Sequence, residues 1–129
     1  MGRRTQHVMN DLDSFLEKVM KNVGGALNNN LKEDTPKLTG YAENNWVANV
    51  GKAFTGTAGN RKDAEAGQLD FAPRILGLAK IVGYKLPQGT IHITNNITYI
   101  EVLNTGTSKK APALFVEQAI DRSIREASV

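Results

Sequence analysis

Apolar residues recur every three or four positions along the first quarter of the chain, from Thr5 to Leu31. Most charged residues of this segment lie off that stripe, so the pattern predicts one long amphipathic helix. Gly24 and Gly25 each weaken a helix by about 1 kcal/mol relative to alanine, and we expect a bend or fraying there. Pro36 should prevent the helix from continuing past the residue before it. The apolar positions are Val8, Leu12, Phe15, Leu16, Val19, Met20, Val23, Leu27 and Leu31.

A strand is predicted from Asn45 to Phe54, after a turn rich in proline, threonine and glycine. Trp46, Ala48 and Val50 would share one face of this strand, because side chains alternate between the two faces. Val47 interrupts the alternation of apolar and polar residues. A helix as long as the preceding one is expected to pack lengthwise across the sheet.

The single tryptophan, Trp46, is expected in the hydrophobic core. The alternative is a partner-facing anchor, because large aromatic side chains dominate the energetics of protein interfaces. The same two alternatives apply to Tyr41, and they stay open for Tyr99. The helix residues that we expect to cover Trp46 are Leu12, Phe15, Leu16 and Val19.

The segment Thr55–Gln68 has glycines at three positions and no apolar period, which predicts a long exposed loop. Structureless loops of this length in small domains usually have a function. The loop has charges of both signs, which suit a contact with a complementary surface. We therefore predict that it becomes ordered on assembly and that its contact residues are Arg61, Lys62, Asp63 and Glu65.

The second half of the chain alternates short helical and extended patterns. Asp70 is a candidate helix cap, with Pro73 in the first turn of the helix that follows. The predicted elements are a helix from Asp70 to Gly83, a strand at Thr90–Asn95, a helical turn at Tyr99–Leu103 and a last helix at Pro112–Ala127. Asp121 and Arg125 are spaced to pair on the flank of that last helix.

Composition indicates one compact soluble domain spanning residues 1–129, with 40% hydrophobic and 22% charged residues. The absence of cysteine excludes a disulfide framework and thiolate metal sites. We find no secretion signal and no apolar segment long enough for a membrane span, so we expect the protein in a cytoplasm without membrane attachment.

Candidate chemistry is sparse. His7 and His92 are the only histidines, and neither has a second ligand at helical or strand spacing. Glu101 and Asp70 lack a paired carboxylate nearby in the sequence, although two carboxylates meeting in a folded cleft would indicate a hydrolase. Gly106–Lys110 lacks the pattern of a phosphate loop. We therefore predict no enzymatic activity, no catalytic residues, no cofactor and no metal.

Positive charge offers a competing interpretation. The chain has 16 Lys and Arg against 13 Asp and Glu, a net charge of +3. A small basic nucleic-acid-binding protein of phage or prophage origin is the alternative function, although the basic residues are scattered rather than forming a stripe. Lys109 and Lys110 lie in a Gly/Ser loop that is either a solvated connection or a protruding contact element. We predict the second, with Lys109, Lys110 and Tyr99 as further contact residues.

Two sequence blocks together resemble the tail-completion, or neck, proteins of long-tailed bacteriophages. The first block has a Thr-Pro-x-x-Thr-Gly pattern followed by a tryptophan, and the second has two asparagines, a tyrosine and an Asn-x-Gly-x-Ser-Lys-x-Ala-Pro run. The blocks occupy Thr35–Trp46 and Ile93–Pro112. Their order and spacing, and the long helix before them, are similar to that family over nearly the whole chain.

The resemblance implies an α+β fold in which a long N-terminal helix packs on a small, mostly antiparallel sheet, with a middle helix and a C-terminal helix. It also implies a virion structural protein that joins the capsid connector to the tail as a homo-oligomeric ring of six or twelve copies. Its expected neighbours are portal or adaptor proteins on the head side and the tail terminator or tail tube on the other. Packaged DNA would run through the lumen. The expected location is the virion neck, with assembly in the host cytoplasm.

Overall fold

The computed structural model of the chain describes residues 3–37, 39–105 and 114–127, with side chains described from residue 8 onward. The predicted α+β class is confirmed, including the long N-terminal helix, a small antiparallel sheet and a C-terminal helix. The elements are α1 (Arg3–Asp34), α2 (Tyr41–Asn44), β1 (Val47–Val50), α3 (Arg61–Glu65), α4 (Ala72–Val82), a 3₁₀ turn (Leu86–Gln88), β2 (Ile91–Thr94), α5 (Ile100–Asn104) and α6 (Phe115–Glu126).

Helix α1 is uninterrupted through its two glycines, where we had predicted a bend or fraying. Gly24 is buried, and a Cβ atom built on it would lie 3.3 Å from the Cδ1 atom of Ile91. The missing side chain lets α1 approach β2 closely, and this packing offsets the low helix propensity of glycine. The helix ends before Pro36 as expected, where the Thr35 hydroxyl donates to the carbonyl of Leu31.

The N-terminal half of α1 lies outside the core, so the predicted cover of Trp46 is wrong. Leu12, Phe15 and Leu16 are exposed. Trp46 is only 6% exposed and packs instead near the C-terminal end of α1, in a cluster with Leu31, Leu27, Phe115 and Ala119. A hydrogen bond helps to place Trp46 at this end of the helix. The buried indole Nε1 needs an acceptor, and it donates to Thr35 Oγ1 at 2.8 Å.

The sheet consists of β1 and β2, paired antiparallel with Ala48 opposite Ile93. Strand β1 is shorter than predicted and ends at Val50. Ile93 packs on the cluster that α1 and α6 form, whereas Asn49, on the other face, accepts a hydrogen bond from Lys80 of α4 at 2.7 Å. Helices therefore cover both faces of β1, and this explains why Val47 interrupts the apolar alternation.

Helix α4 lies very close to the backbone of β1. A Cβ atom built on Gly77 would lie 2.5 Å from the carbonyl oxygen of Ala48, so only glycine fits there. Helix α4 begins at Ala72 with Phe71 at the cap position, so Asp70 lies one residue before the cap that we predicted for it. Its carboxylate still accepts from the amide of Ala72 at 3.1 Å, and Pro73 lies in the first turn as predicted. The helix ends at Val82.

Helix α6 packs along the C-terminal half of α1. Buried Asn30 of α1 donates to Ser123 Oγ at 3.0 Å, and Arg122 pairs with Asp34 at 3.1 Å. The predicted pair between Arg125 and Asp121 is present at 2.7 Å. Within the described residues α6 begins at Phe115, and the predicted start at residue 112 lies outside them. None of the helices in the described part of the chain is long and apolar enough to cross a membrane.

Candidate functional site

The two sequence blocks of the family resemblance meet in space. Asn95, from the second block, donates to the carbonyl of Ala42, from the first, at 2.9 Å. Ile97 is buried in a cluster with Tyr41 and Ala42. The blocks are about fifty residues apart in sequence, yet they share one buried cluster.

Asparagine side chains hold the segment between the two blocks in place. Asn45 Oδ1 accepts from the amide of Ala58 at 2.7 Å, while its Nδ2 donates to the carbonyl of Tyr41 at 2.8 Å. Asn96 donates to the carbonyls of Phe54 and Gly56, each at 2.9 Å. We call Asn44, Asn45, Asn95 and Asn96 the asparagine clamp; its fourth member, Asn44, donates to the carbonyl of Asp70 at 2.7 Å.

The prediction that Thr55–Gln68 is structureless is wrong. The segment contains α3, whose first turn is capped reciprocally: Asn60 Oδ1 accepts from the Asp63 amide at 2.8 Å, and Asn60 Nδ2 donates to the Asp63 carboxylate at 2.9 Å. Ala58 and Ala64 are buried. The segment is ordered within its own chain because small side chains and the clamp anchor it, and neither produces an apolar period in the sequence.

Five of the predicted interface residues lie on or beside α3, and three of them are linked by direct contacts. The Arg61 guanidinium lies 5.4 Å from the ring centroid of Tyr99, within cation–π range, and its Nε lies 3.1 Å from the Glu65 carboxylate. Lys62 is exposed beside them, and Asp63 serves the helix cap. We call Arg61, Lys62, Asp63, Glu65 and Tyr99 the charged group. Its four residues on α3 are exposed, and Tyr99 is half-buried.

Burial raises the pKa of Tyr99, and the nearby Arg61 guanidinium partly opposes that shift. The phenol therefore stays protonated at neutral pH and keeps a hydroxyl that can donate a hydrogen bond. Lys109 and Lys110, the other predicted contact residues, lie outside the described residues.

Metal ligands and grooves are the remaining features of the described residues that bear on binding. Within the described residues, no group of three or more His, Asp or Glu side chains could hold a metal ion. A groove of about 390 Å³ lies beside α4, but Lys80 is its only charged residue and already donates to Asn49. The groove is lined by Val50, Leu76, Ala79, Lys80, Gly83 and Gln88.

Lys32 is the most perturbed cation in the described chain. It is 6% exposed, and its pKa falls from 10.5 to about 8 because of burial and the charge of Arg74, with Glu43 opposing the shift. It lies near the C-terminal end of α1. Because burial disfavours its charged form, Lys32 costs the folded state stability at neutral pH.

Two helices carry exposed apolar stripes that were not predicted from the sequence. The arm stripe, on the N-terminal half of α1, has three residues that are 52% to 66% exposed and a fourth that is half-buried. The α4 stripe has four residues that are 47% to 69% exposed. The arm stripe is Val8, Leu12, Phe15 and Val19, and the α4 stripe is Phe71, Ile75, Leu78 and Val82. Both follow the spacing 4-3-4, and this shared spacing was the signal available in the sequence.

Comparisons with protein-family models, with curated proteins and with solved structures give no significant match to this chain. The family resemblance of the two sequence blocks therefore stands on the residues themselves.

Proposed function

We propose that this protein is a structural subunit of the neck of a long-tailed bacteriophage, where copies form a ring that joins the capsid connector to the tail. The proposal starts from the resemblance of the blocks Thr35–Trp46 and Ile93–Pro112. It is supported by their contact in the fold, because Asn95 and Ile97 of the second block bind and pack against the first.

The observation that carries the proposal is the pair of exposed apolar stripes on α1 and α4. Soluble monomers rarely expose extended apolar surface, and such surface usually marks a contact with another molecule. A closed ring needs two different surfaces on each subunit, so that one surface of each copy meets the other surface of the next. The arm stripe and the α4 stripe are two such surfaces on separate elements.

The charged group on α3 supports a second kind of contact, with the head-side or tail-side neighbour of the ring. It is already ordered by the asparagine clamp, so docking there costs less conformational entropy than ordering a mobile loop. Arg61 and Tyr99 are residue types that are enriched in interface hot spots. As a structural subunit the protein has no turnover chemistry, cofactor or metal.

The proposal is tested by imaging the purified protein in negative stain, alone and mixed with the connector complex of the same phage. We expect rings of six or twelve copies that cap one end of the connector. Antibody labelling of purified virions should then mark the junction between head and tail. A protein that is absent from virions, or that never binds the connector, contradicts the proposal.

The nucleic-acid-binding alternative predicts a different result. In that case the isolated chain would bind DNA with an affinity that falls steeply as salt concentration rises. The slope of this fall increases with the number of DNA phosphates that the protein neutralises. A structural ring subunit should show only weak DNA binding as a monomer. Measuring DNA affinity at two salt concentrations separates the two functions.

A further inference from the structure

We propose that the arm stripe of one copy packs along the α4 stripe of the next copy, and that this helix pair is the repeating contact of the assembly. The inference rests on the proposed ring and goes beyond it by naming the two surfaces that meet.

The arm is the part of α1 that precedes Glu17, and its described side chains, from Val8 to Leu16, are all exposed. Glu17 is the first half-buried residue along α1, and its carboxylate accepts from the amide of Leu86 at 2.8 Å. Isolated helices of this length are marginally stable in water, and an amphipathic helix is normally stabilised by packing its apolar face. The arm therefore requires a partner for that face.

The partner is a second copy rather than the same chain. Beyond Glu17, α1 packs on β2, on α6 and on the buried side of α4 around Ile81, so its uninterrupted helix fixes where the arm projects. On α4, Gly77 and Ile81 are buried against the body, whereas the α4 stripe lies on the exposed side. An arm that reaches a neighbour's α4 makes a head-to-tail contact, the kind that can close into a ring.

The two stripes match in spacing and length. Each has four apolar residues at 4-3-4 intervals, the spacing of the a and d positions of a coiled coil. Each covers eleven residue steps, or about 16 Å of helix at 1.5 Å per residue. Two helices with this pattern can pack side by side at a shallow angle over the full length of both stripes.

Charge favours this pairing over the alternatives. The arm stripe spans Val8–Val19, which has three carboxylates and one lysine, a net charge of −2, with Arg3 and Arg4 one turn before it. The α4 stripe spans Phe71–Val82, which has two basic residues and no acidic one, a net charge of +2. Opposite charge attracts an arm to α4 and opposes arm–arm or α4–α4 pairing. Screening by salt makes this preference strongest at low ionic strength.

Cysteine cross-linking tests the contact, because the chain has no native cysteine. The variants Leu12→Cys and Leu78→Cys are purified separately, mixed and oxidised. We expect a covalent dimer in the mixture and little in either variant alone. Ile124→Cys, at an exposed apolar position on α6, serves as the matched control and should not cross-link with Leu12→Cys.

The alternatives give distinct products. A dimer from Leu12→Cys alone shows arm–arm pairing, and a dimer from Leu78→Cys alone shows α4–α4 pairing; either as the main product overturns the inference. If rings are seen without the mixed product, the inference fails while the proposed function stands. If the mixed product forms but the assembly never binds the connector, the helix contact stands and the proposed function fails.

A second pair of variants tests the same contact without cysteine. Leu12→Glu combined with Phe15→Glu changes only exposed residues, so the monomer should fold normally by circular dichroism. Self-association measured by sedimentation should weaken at least about tenfold, because two anchors of the contact are lost. Ile120→Glu combined with Ile124→Glu on α6 is the control and should associate normally. Unchanged association of the arm variant overturns the inference.

Discussion

At the scale of single residues, the side chains that decide the fold are those whose polar atoms have to be satisfied inside it. Trp46 lies near the C-terminal end of α1 rather than its middle because its indole donates to Thr35. The sequence identifies the tryptophan as a core residue, but periodicity alone could not select which turns of the stripe cover it. Every turn of the α1 stripe has a similar apolar residue.

Trp46→Ala should lower the free energy of unfolding by about 3–5 kcal/mol, the usual cost of removing a large buried aromatic. Urea denaturation followed by circular dichroism measures this change. Phe15→Ala is the control, because Phe15 is 52% exposed and its loss should change stability by less than about 0.5 kcal/mol. Equal effects of the two substitutions would show that the tryptophan is not a core residue.

Lys32 should make stability depend on pH in the alkaline range. Its pKa is about 8 in the folded chain and 10.5 when unfolded, so between these values the unfolded state binds more protons. Stability from this residue therefore rises as pH increases from about 8 to 10.5, and its destabilising effect is fully present below pH 8. Lys32→Met should raise the free energy of unfolding at pH 7 by about 1–3 kcal/mol.

Thermal denaturation of the wild type and of Lys32→Met at pH 7 and pH 10 checks this prediction. The difference between the two proteins should shrink at the higher pH. If the difference in stability between the two proteins were the same at both pH values, the charge of Lys32 would not destabilise the folded state.

At the scale of elements, close contacts and side-chain clamps position segments that have no strong pattern of their own. The long helix, α4, β2 and α6 all follow from apolar periodicity, and their predicted locations are close to those observed. Helix α3 could not be predicted this way, because it has only five residues and a single buried alanine. Asn45 and Asn96 are visible in the sequence, but the backbone groups that they bind are distant along it.

Gly77→Ala should destabilise the protein even though alanine favours helix. The added Cβ atom would lie 2.5 Å from the Ala48 carbonyl oxygen, so the contact between α4 and β1 would have to move apart. Gly25→Ala is the matched control, because a Cβ atom there has no neighbour within 4 Å. This substitution should stabilise by up to about 1 kcal/mol. Melting temperatures of the two variants should therefore shift in opposite directions, and a rise for both would contradict the packing of α4.

Asn45→Ala should release the segment that holds the charged group. The Ala58 amide would lose its buried acceptor, at a cost of about 1–3 kcal/mol. Hydrogen exchange should then be faster for the amides of residues 58–68. Asn29→Ala, at an exposed position of α1, is the control and should leave exchange in this segment unchanged. If the amides of residues 58–68 exchanged equally fast in the wild type and in Asn45→Ala, Asn45 would not be holding this segment in place.

At the scale of the whole molecule, the chain consists of a packed body and a helical arm that projects from it. The body contains the described residues of both sequence blocks, the sheet and the packed half of α1. The sequence predicts the long helix but not its division into arm and body, because the apolar stripe is continuous from Val8 to Leu31. Only the structure shows which of these apolar residues are exposed. The surface that binds the arm belongs to another molecule, so the pattern of residues within one chain cannot identify it.

Removing residues 1–16 should separate folding from assembly. Because residues 8–16 are exposed and Glu17 is the first half-buried residue of α1, the shortened protein should melt within a few degrees of the full chain under conditions where both are monomeric. It should also fail to associate, as measured by sedimentation over a wide concentration range. A shortened chain that associates normally would exclude the arm from assembly, and a large drop in melting temperature would show that the arm belongs to the body.

The position of the single tryptophan has a consequence for spectroscopy. Trp46 is enclosed by Leu31, Phe115 and Ala119 and is not part of the arm stripe, the α4 stripe or the charged group. Its fluorescence should report the integrity of the body and stay constant while copies join. Emission can therefore serve as an internal standard for folding during an assembly reaction that is followed by light scattering.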